Sequence, residues 1–169
     1  MIPLSCLGAL HFFKVALAAT ATLPIKARLV RAIEVTVSTS LNFGTLAMTQ
    51  DRGGHARMDP GANRLIVDNN SSLSLAGGVP QAGRLIIKGA AHPISISIED
   101  SVVNLTNGVT SVSVNDFNFI REGAGNKVTV TPSVDDQVFT VAVGATLVTK
   151  PKQASGSYVG TTRIFANFQ

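Results

Sequence analysis

Alternation with a period of two is the feature that most limits what this chain can become. Val138, Thr140, Ala142 and Gly144 alternate with Phe139, Val141 and Val143. A turn-rich stretch follows, and residues 158–169 then run in strand-forming residues to the end of the sequence. Successive side chains of a strand point to opposite sides, so this pattern predicts strands with one buried face. A domain whose last strand reaches its end is expected to close a sheet with it.

The same reading extends backwards. Ile33, Val35 and Val37 alternate with Glu34, Thr36 and Ser38, which predicts a first strand. Leu41-Asn42-Phe43-Gly44 begins a second extended segment. Further strands are expected at 65–67, 72–75, 84–88, 94–99, 102–105, 109–114, 117–120, 127–131 and 138–143, with Asn107-Gly108 as a hairpin turn. Turn signals recur roughly every 8–12 residues and no helical period follows the front end, which indicates one antiparallel sandwich or barrel. Ile94, Ile96 and Ile98 share one strand face by their spacing. Together with Ile86, Val141 and Phe165 they are expected to form a common core. Residues 51–63 are polar and glycine-rich around Asp59-Pro60-Gly61, and read as an exposed mobile loop.

The front end reads as an address. Residues 1–13 are apolar, Lys14 interrupts them, residues 15–23 are apolar again, and Pro24 ends any helix. Small-residue cleavage sites occur at Ala16-Leu17-Ala18, Ala19-Thr20-Ala21 and Ile25-Lys26-Ala27. This predicts a secretory signal over 1–27, cut between 18 and 27, before a single domain over 28–169. Neither apolar half reaches the ~20 residues that span a bilayer, and no later segment does, so no membrane span is expected in the mature chain. The single cysteine, Cys6, lies in the leader, so the mature domain must stand on its core without disulfides.

Composition narrows the function. Hydrophobic residues make up 45% of the chain and charged residues only 14%, the latter well below the ~25% usual for soluble domains. Removing Lys14 and Lys26 with the leader leaves 12 basic against 10 acidic residues, a net of +2, and these are scattered. With no Trp and one Tyr, neither a basic footprint nor a stacking platform is present, which argues against nucleic acid as a partner.

Catalytic and metal chemistry find no footing. His55 and His92 sit in separate stretches with no cysteine beside them, so no zinc site is expected. Asp135-Asp136 reads as a solvated turn and not as a calcium site. No G-x-S-x-G elbow and no P-loop occur. The reading is a non-enzyme with no catalytic, cofactor or metal residues.

Several segments together resemble a family of exported bacterial β-proteins known as domain of unknown function 4402. They are Leu41-Asn42-Phe43-Gly44-Thr45, Gly83-Arg84-Leu85-Ile86-Ile87-Lys88-Gly89 followed by 94–98, Leu105-Thr106-Asn107-Gly108, Val143-Gly144-Ala145-Thr146-Leu147 and Gly156-Ser157-Tyr158-Val159-Gly160-Thr161. The resemblance covers about residues 27–169. It implies an immunoglobulin-like antiparallel β-sandwich and export, and no activity. More distantly, the C-terminal end resembles spore-coat-protein-U type chaperone–usher pilins, whose subunits also end in a Tyr-x-Gly turn, an alternating strand and a terminal aromatic. Here those features fall on Tyr158, Gly160, Ile164 and Phe168, the candidate closing-strand residues. Pilins often carry a disulfide, and this domain does not.

The function expected from these readings is an exported cell-surface structural protein, a pilus-like or adhesive subunit that assembles by β-strand addition. Its partners would be further copies of itself or a periplasmic chaperone and usher. A donor strand would lie ahead of residue 28, with Ala19, Ala21 and Leu23 facing the acceptor. The alternative is a monomeric secreted or periplasmic binding module. The leader reading predicts that intact mass of the envelope or medium fraction gives a chain starting between residues 19 and 28. A cytoplasmic species that keeps Met1 would contradict it.

Overall fold

The computed structural model describes residues 26–49, 52–120 and 127–169. Among these residues the architecture is all-β, with twelve strands and only antiparallel pairings. In chain order they are β1 (Glu34–Thr39), β2 (Thr45–Met48), β3 (Gly54–Asp59), β4 (Arg64–Val67), β5 (Leu73–Gly77) and β6 (Gly83–Lys88). Then come β7 (Ile94–Ile98), β8 (Val103–Thr106), β9 (Ser111–Ile120), β10 (Lys127–Val130), β11 (Phe139–Thr149) and β12 (Ile164–Phe168).

The larger layer is built around β11. Its first half pairs with β6 and its second half with β3, while β9 pairs along its other edge from Ala142 to Val148. β1 lies outside β6, β4 outside β3, and β8 outside β9. The change of partner falls at Gly144, where a Cβ would lie 2.2 Å from the Met58 carbonyl oxygen and 2.5 Å from Pro60 Cδ. Only glycine allows two strand ends to meet there. The second layer consists of β10-β7-β12 and the separate pair β2-β5.

The core lies between these layers. Ile94 and Ile96 are fully buried and Ile98 nearly so. They pack in one cluster with Leu85, Ile87, Val141 and Val143 of the larger layer. This is the face that the isoleucine spacing predicts.

Two of the expected core residues face outward instead. Phe165 is 43% exposed and Ile86 is 36% exposed. The reason is register. β12 pairs with β7 so that Ile164, Ala166 and Phe168 stand opposite Ile98, Ile96 and Ile94, which places Phe165 opposite Ser97 on the outer face. Ile86 alternates with the buried Leu85 and Ile87, and stands between Thr36 and Thr140 on the solvent side. A shift of one residue decides which face a whole strand buries.

Three boundaries also differ from the sequence reading. Residues 51–63 contain a strand and not a mobile loop: in β3, Gly54, Ala56 and Met58 are buried while His55 and Arg57 face solvent. Its small and polar residues mask a period of two. The turn signal after it is sound, because Asp59 Oδ1 accepts the N–H groups of Gly61 and Ala62, which hold its carboxyl below the ordinary carboxylate value. The segments at 109–114 and 117–120 are one strand, β9, which passes through Asp116 at φ 50°. The final strand is shorter than 158–169, covering only Ile164–Phe168.

β1 is fastened to β6 by the cross-strand pair Glu34–Lys88, 2.8 Å apart, which raises the Lys88 ammonium above its ordinary value. The isolated positions give a direct check. Ile96→Asp should destabilise the domain by ~4 kcal/mol or more, since it places a charge in a closed apolar site. Phe165→Ser should cost under ~1 kcal/mol, as a surface change does. Comparable losses in chemical denaturation would mean that the β12 register is wrong.

Candidate functional site

The two parts of the second layer do not touch edge to edge. β12 pairs only with β7, and β2 pairs only with β5. Between them, among the described residues, no strand is present, and the space is a groove of about 1520 Å³. That exceeds the ~300–1,000 Å³ of common small-molecule pockets. It is open to solvent, bounded on one side by residues 37–49 and on the other by residues 152–162 and Ile164.

The floor is the inner face of the larger layer. Leu85, Val103, Val112, Val114, Phe117 and Leu147 line it, and all are buried. From the β2 side come Leu46 and Met48, half-buried, packed against the core. Val37 shares the inward face of β1 with Val35, yet is 59% exposed, because nothing covers it at the groove. Only Arg84 and Lys152 are charged among the lining residues, and both are cationic. An open cleft with an apolar floor and largely uncharged polar walls suits an extended peptide: main chain for the edges, side chains for the floor.

The opposite wall is an irregular strap. It turns at Lys152 (φ 55°) and Gly156 (φ 152°) and makes a single bridge to β8, between Val159 and Thr106. Tyr158 holds it: its hydroxyl lies 2.7 Å from Thr110 Oγ1, accepts from Gln153 Nε2 at 2.9 Å and donates to the Ala154 carbonyl at 2.5 Å. Gly160 permits the close approach, since a Cβ there would stand 2.8 Å from Leu105 Cδ2 and 3.0 Å from the Asn104 carbonyl oxygen.

The residues singled out from sequence are distributed as follows. Tyr158 and Gly160 stand in the groove wall, and Ile164 at the end where the strap enters β12. Phe168 lies at the far end of β12, edge-on to the His92 ring with centroids 6.2 Å apart, and does not line the groove. Ala19, Ala21 and Leu23 lie outside the described residues. His55 faces solvent beside Asp68, 3.8 Å away, and His92 contacts the Arg28 guanidinium. Asp135 accepts the Ala91 N–H at 2.7 Å while Asp136 pairs with Arg31 at 3.0 Å. Among the described residues, no three His, Cys, Asp or Glu side chains gather in a metal-like group. Among the described residues no helix is long and apolar enough to cross a membrane.

Sequence reasoning missed the β2 side of the groove and its floor on β8 and β9. No local signal marks them, because a strand edge without a partner carries the same alternation as one that is paired.

These features define an antiparallel β-sandwich whose described residues leave an open groove in one layer. Residues 33–168 match the family model described as Domain of unknown function (DUF4402), and the chain belongs to that family. No curated protein matches the chain.

The groove should behave as open apolar surface. The folded protein should enhance the fluorescence of anilinonaphthalene sulfonate while keeping a cooperative melt, and Val37→Ser should weaken that enhancement. The same substitution should change stability by only ~0.5 kcal/mol, because Val37 is already largely exposed. A large loss of stability would show that Val37 belongs to closed core.

Proposed function

We propose that this protein is an exported structural subunit of the cell surface, pilus-like, which assembles by β-strand addition. The observation that carries the reading is the groove that the described residues leave between β2 and β12, with an apolar floor and main-chain edges open on both sides. An added strand satisfies those edges and covers apolar side chains that reach the groove, Val37 above all, in one step.

The occupant in this reading is the N-terminal segment of a second copy. Residues 19–27 reach about 30 Å when extended, long enough to form a strand of several residues in the groove. Ala19, Ala21 and Leu23 alternate with threonines and would set small and apolar side chains on the floor. The first described residues support a donor that projects outward. Arg28 contacts His92, Arg31 pairs with Asp136, and Ile33 lies against Gly89, all at the end where β6 turns into β7. The groove begins only at Leu85 and Ile98 and includes no residue from 86 to 97. A donor at one end and an acceptor toward the other make a heterologous contact, which repeats into an open chain of subunits. A periplasmic chaperone and usher would be the natural partners before assembly, since an unfilled groove is an aggregation hazard.

Deleting residues 19–27 from the exported protein tests this. Unmodified protein should run as a ladder in unboiled detergent gels, and the deletion should give monomer alone. A ladder from the deleted form would place the donor elsewhere. A strict monomer from the unmodified protein would remove the assembly reading.

A further inference from the structure

The strap over residues 152–162 is the part of the groove with the least regular structure and the most specific fastening. Val159 exchanges both main-chain hydrogen bonds with Thr106 of β8, at 2.9 and 3.0 Å. Neighbouring residues of an extended chain direct their N–H and C=O groups to opposite sides. Tyr158 and Gly160 therefore turn theirs away from β8. Both residues line the groove, and among the described residues neither main chain has a hydrogen-bond partner. The strap is thus bonded to the larger layer on one side and open on the other.

Side chains decide this posture, because one bridge does not. The Tyr158 hydroxyl joins three groups: Thr110 from the loop that links β8 to β9, and Gln153 with the Ala154 carbonyl from the start of the strap itself. Gln153 Nε2 also reaches Thr110 Oγ1 at 3.2 Å, closing a triangle of hydroxyl, hydroxyl and amide. The ring below the hydroxyl packs against the core. At the other end of the bridge Gly160 lies against Leu105, where any side chain would push the strap off β8. A tyrosine is chemically suited to this: its ring anchors in apolar surface and its hydroxyl finds polar partners at the rim.

We propose that Tyr158 is a positioning residue for strand acceptance, whose hydroxyl latches the strap to the β8–β9 hairpin so that the Tyr158 and Gly160 main chain is presented to an incoming strand from a second copy. This rests on the strand-addition reading above. In the assembled state the incoming strand pairs with the strap on one side and with β2 on the other. The order β8, strap, incoming strand, β2, β5 then joins the two layers of the sandwich through main-chain hydrogen bonds. Without the latch the strap moves off β8 and the acceptor edge is lost, although the core beneath it stays closed.

Two readouts on the exported, processed protein test the proposal, with Tyr158→Phe and Thr110→Val as variants. The first keeps the ring and removes the hydroxyl, and the second removes the hairpin side of the latch. Amide exchange should show Val159 and Thr106 protected in the unmodified protein. In both variants their exchange should rise about tenfold, the effect of losing hydrogen bonds of this size on a local opening. The amide of Ile96 should be unchanged, and the melting temperature should fall by only a few degrees. The detergent-stable ladder should fall by a similar factor. Unchanged Val159 exchange in both variants overturns the latch. Faster exchange with an undiminished ladder overturns its role in strand acceptance. Absence of any ladder from unmodified protein overturns the assembly reading and, with it, the acceptor role, while the exchange data still decide the latch.

Discussion

The structure depends on one strand. β11 runs eleven residues from Phe139 to Thr149 and bonds along both edges, to β9 on one side and to β6 and then β3 on the other. From Val141 to Leu147 every residue is buried. A strand with two occupied edges and two covered faces has a single tolerable register, because a slip of one residue would move Val141 and Val143 from the core to the outer face. Gly144 makes this possible by letting Met58 and Pro60 approach at the point where β6 gives way to β3.

Among the described residues the second layer is the less complete of the two. β10, β7 and β12 cover one half of the core, and β2 with β5 covers part of the other. The strip between them leaves buried-type residues such as Val112 and Leu147 as the floor of an open groove. Other edges of the fold are handled differently. The start of β1 carries the Glu34–Lys88 pair and follows Arg31, which is tied to Asp136. Charges of this kind discourage edge-to-edge pairing. The groove edges have only Arg84 and Lys152, on an otherwise apolar or neutral lining. This contrast between a guarded edge and an inviting one underlies the proposed assembly role.

Much of the architecture was legible because it follows from local chemistry. Ile94, Ile96 and Ile98 read as one buried face, and they are. Asn107-Gly108 read as a hairpin turn, and Gly108 adopts φ 89° there while Asn107 Oδ1 accepts the N–H groups of Val109 and Thr110. β3 was not legible, since its inward residues are Gly54, Ala56 and Met58, two of them too small to register as a hydrophobic stripe. Burial there is imposed by β11 lying alongside. Phe165 was misplaced for the complementary reason. An aromatic in a terminal strand reads as core, but the pairing of β12 with β7 gives the inward positions to Ile164, Ala166 and Phe168.

The candidate site divides along the same line. Tyr158 and Gly160 stood out in the sequence as a turn before the last strand, but not as the wall of a groove. Their role appears only when Thr110, Leu105 and Thr106, about fifty residues earlier, are brought beside them. What the sequence by itself determined is an all-β chain of antiparallel strands with the Ile94–Ile98 face buried, because side-chain alternation and turn chemistry are properties of neighbours along the chain. Tertiary structure alone decided the register of β12, the burial of β3 and the gap that the described residues leave between β2 and β12. Those depend on which edges meet across the sandwich, and an edge left without a partner has no signature in the residues that carry it.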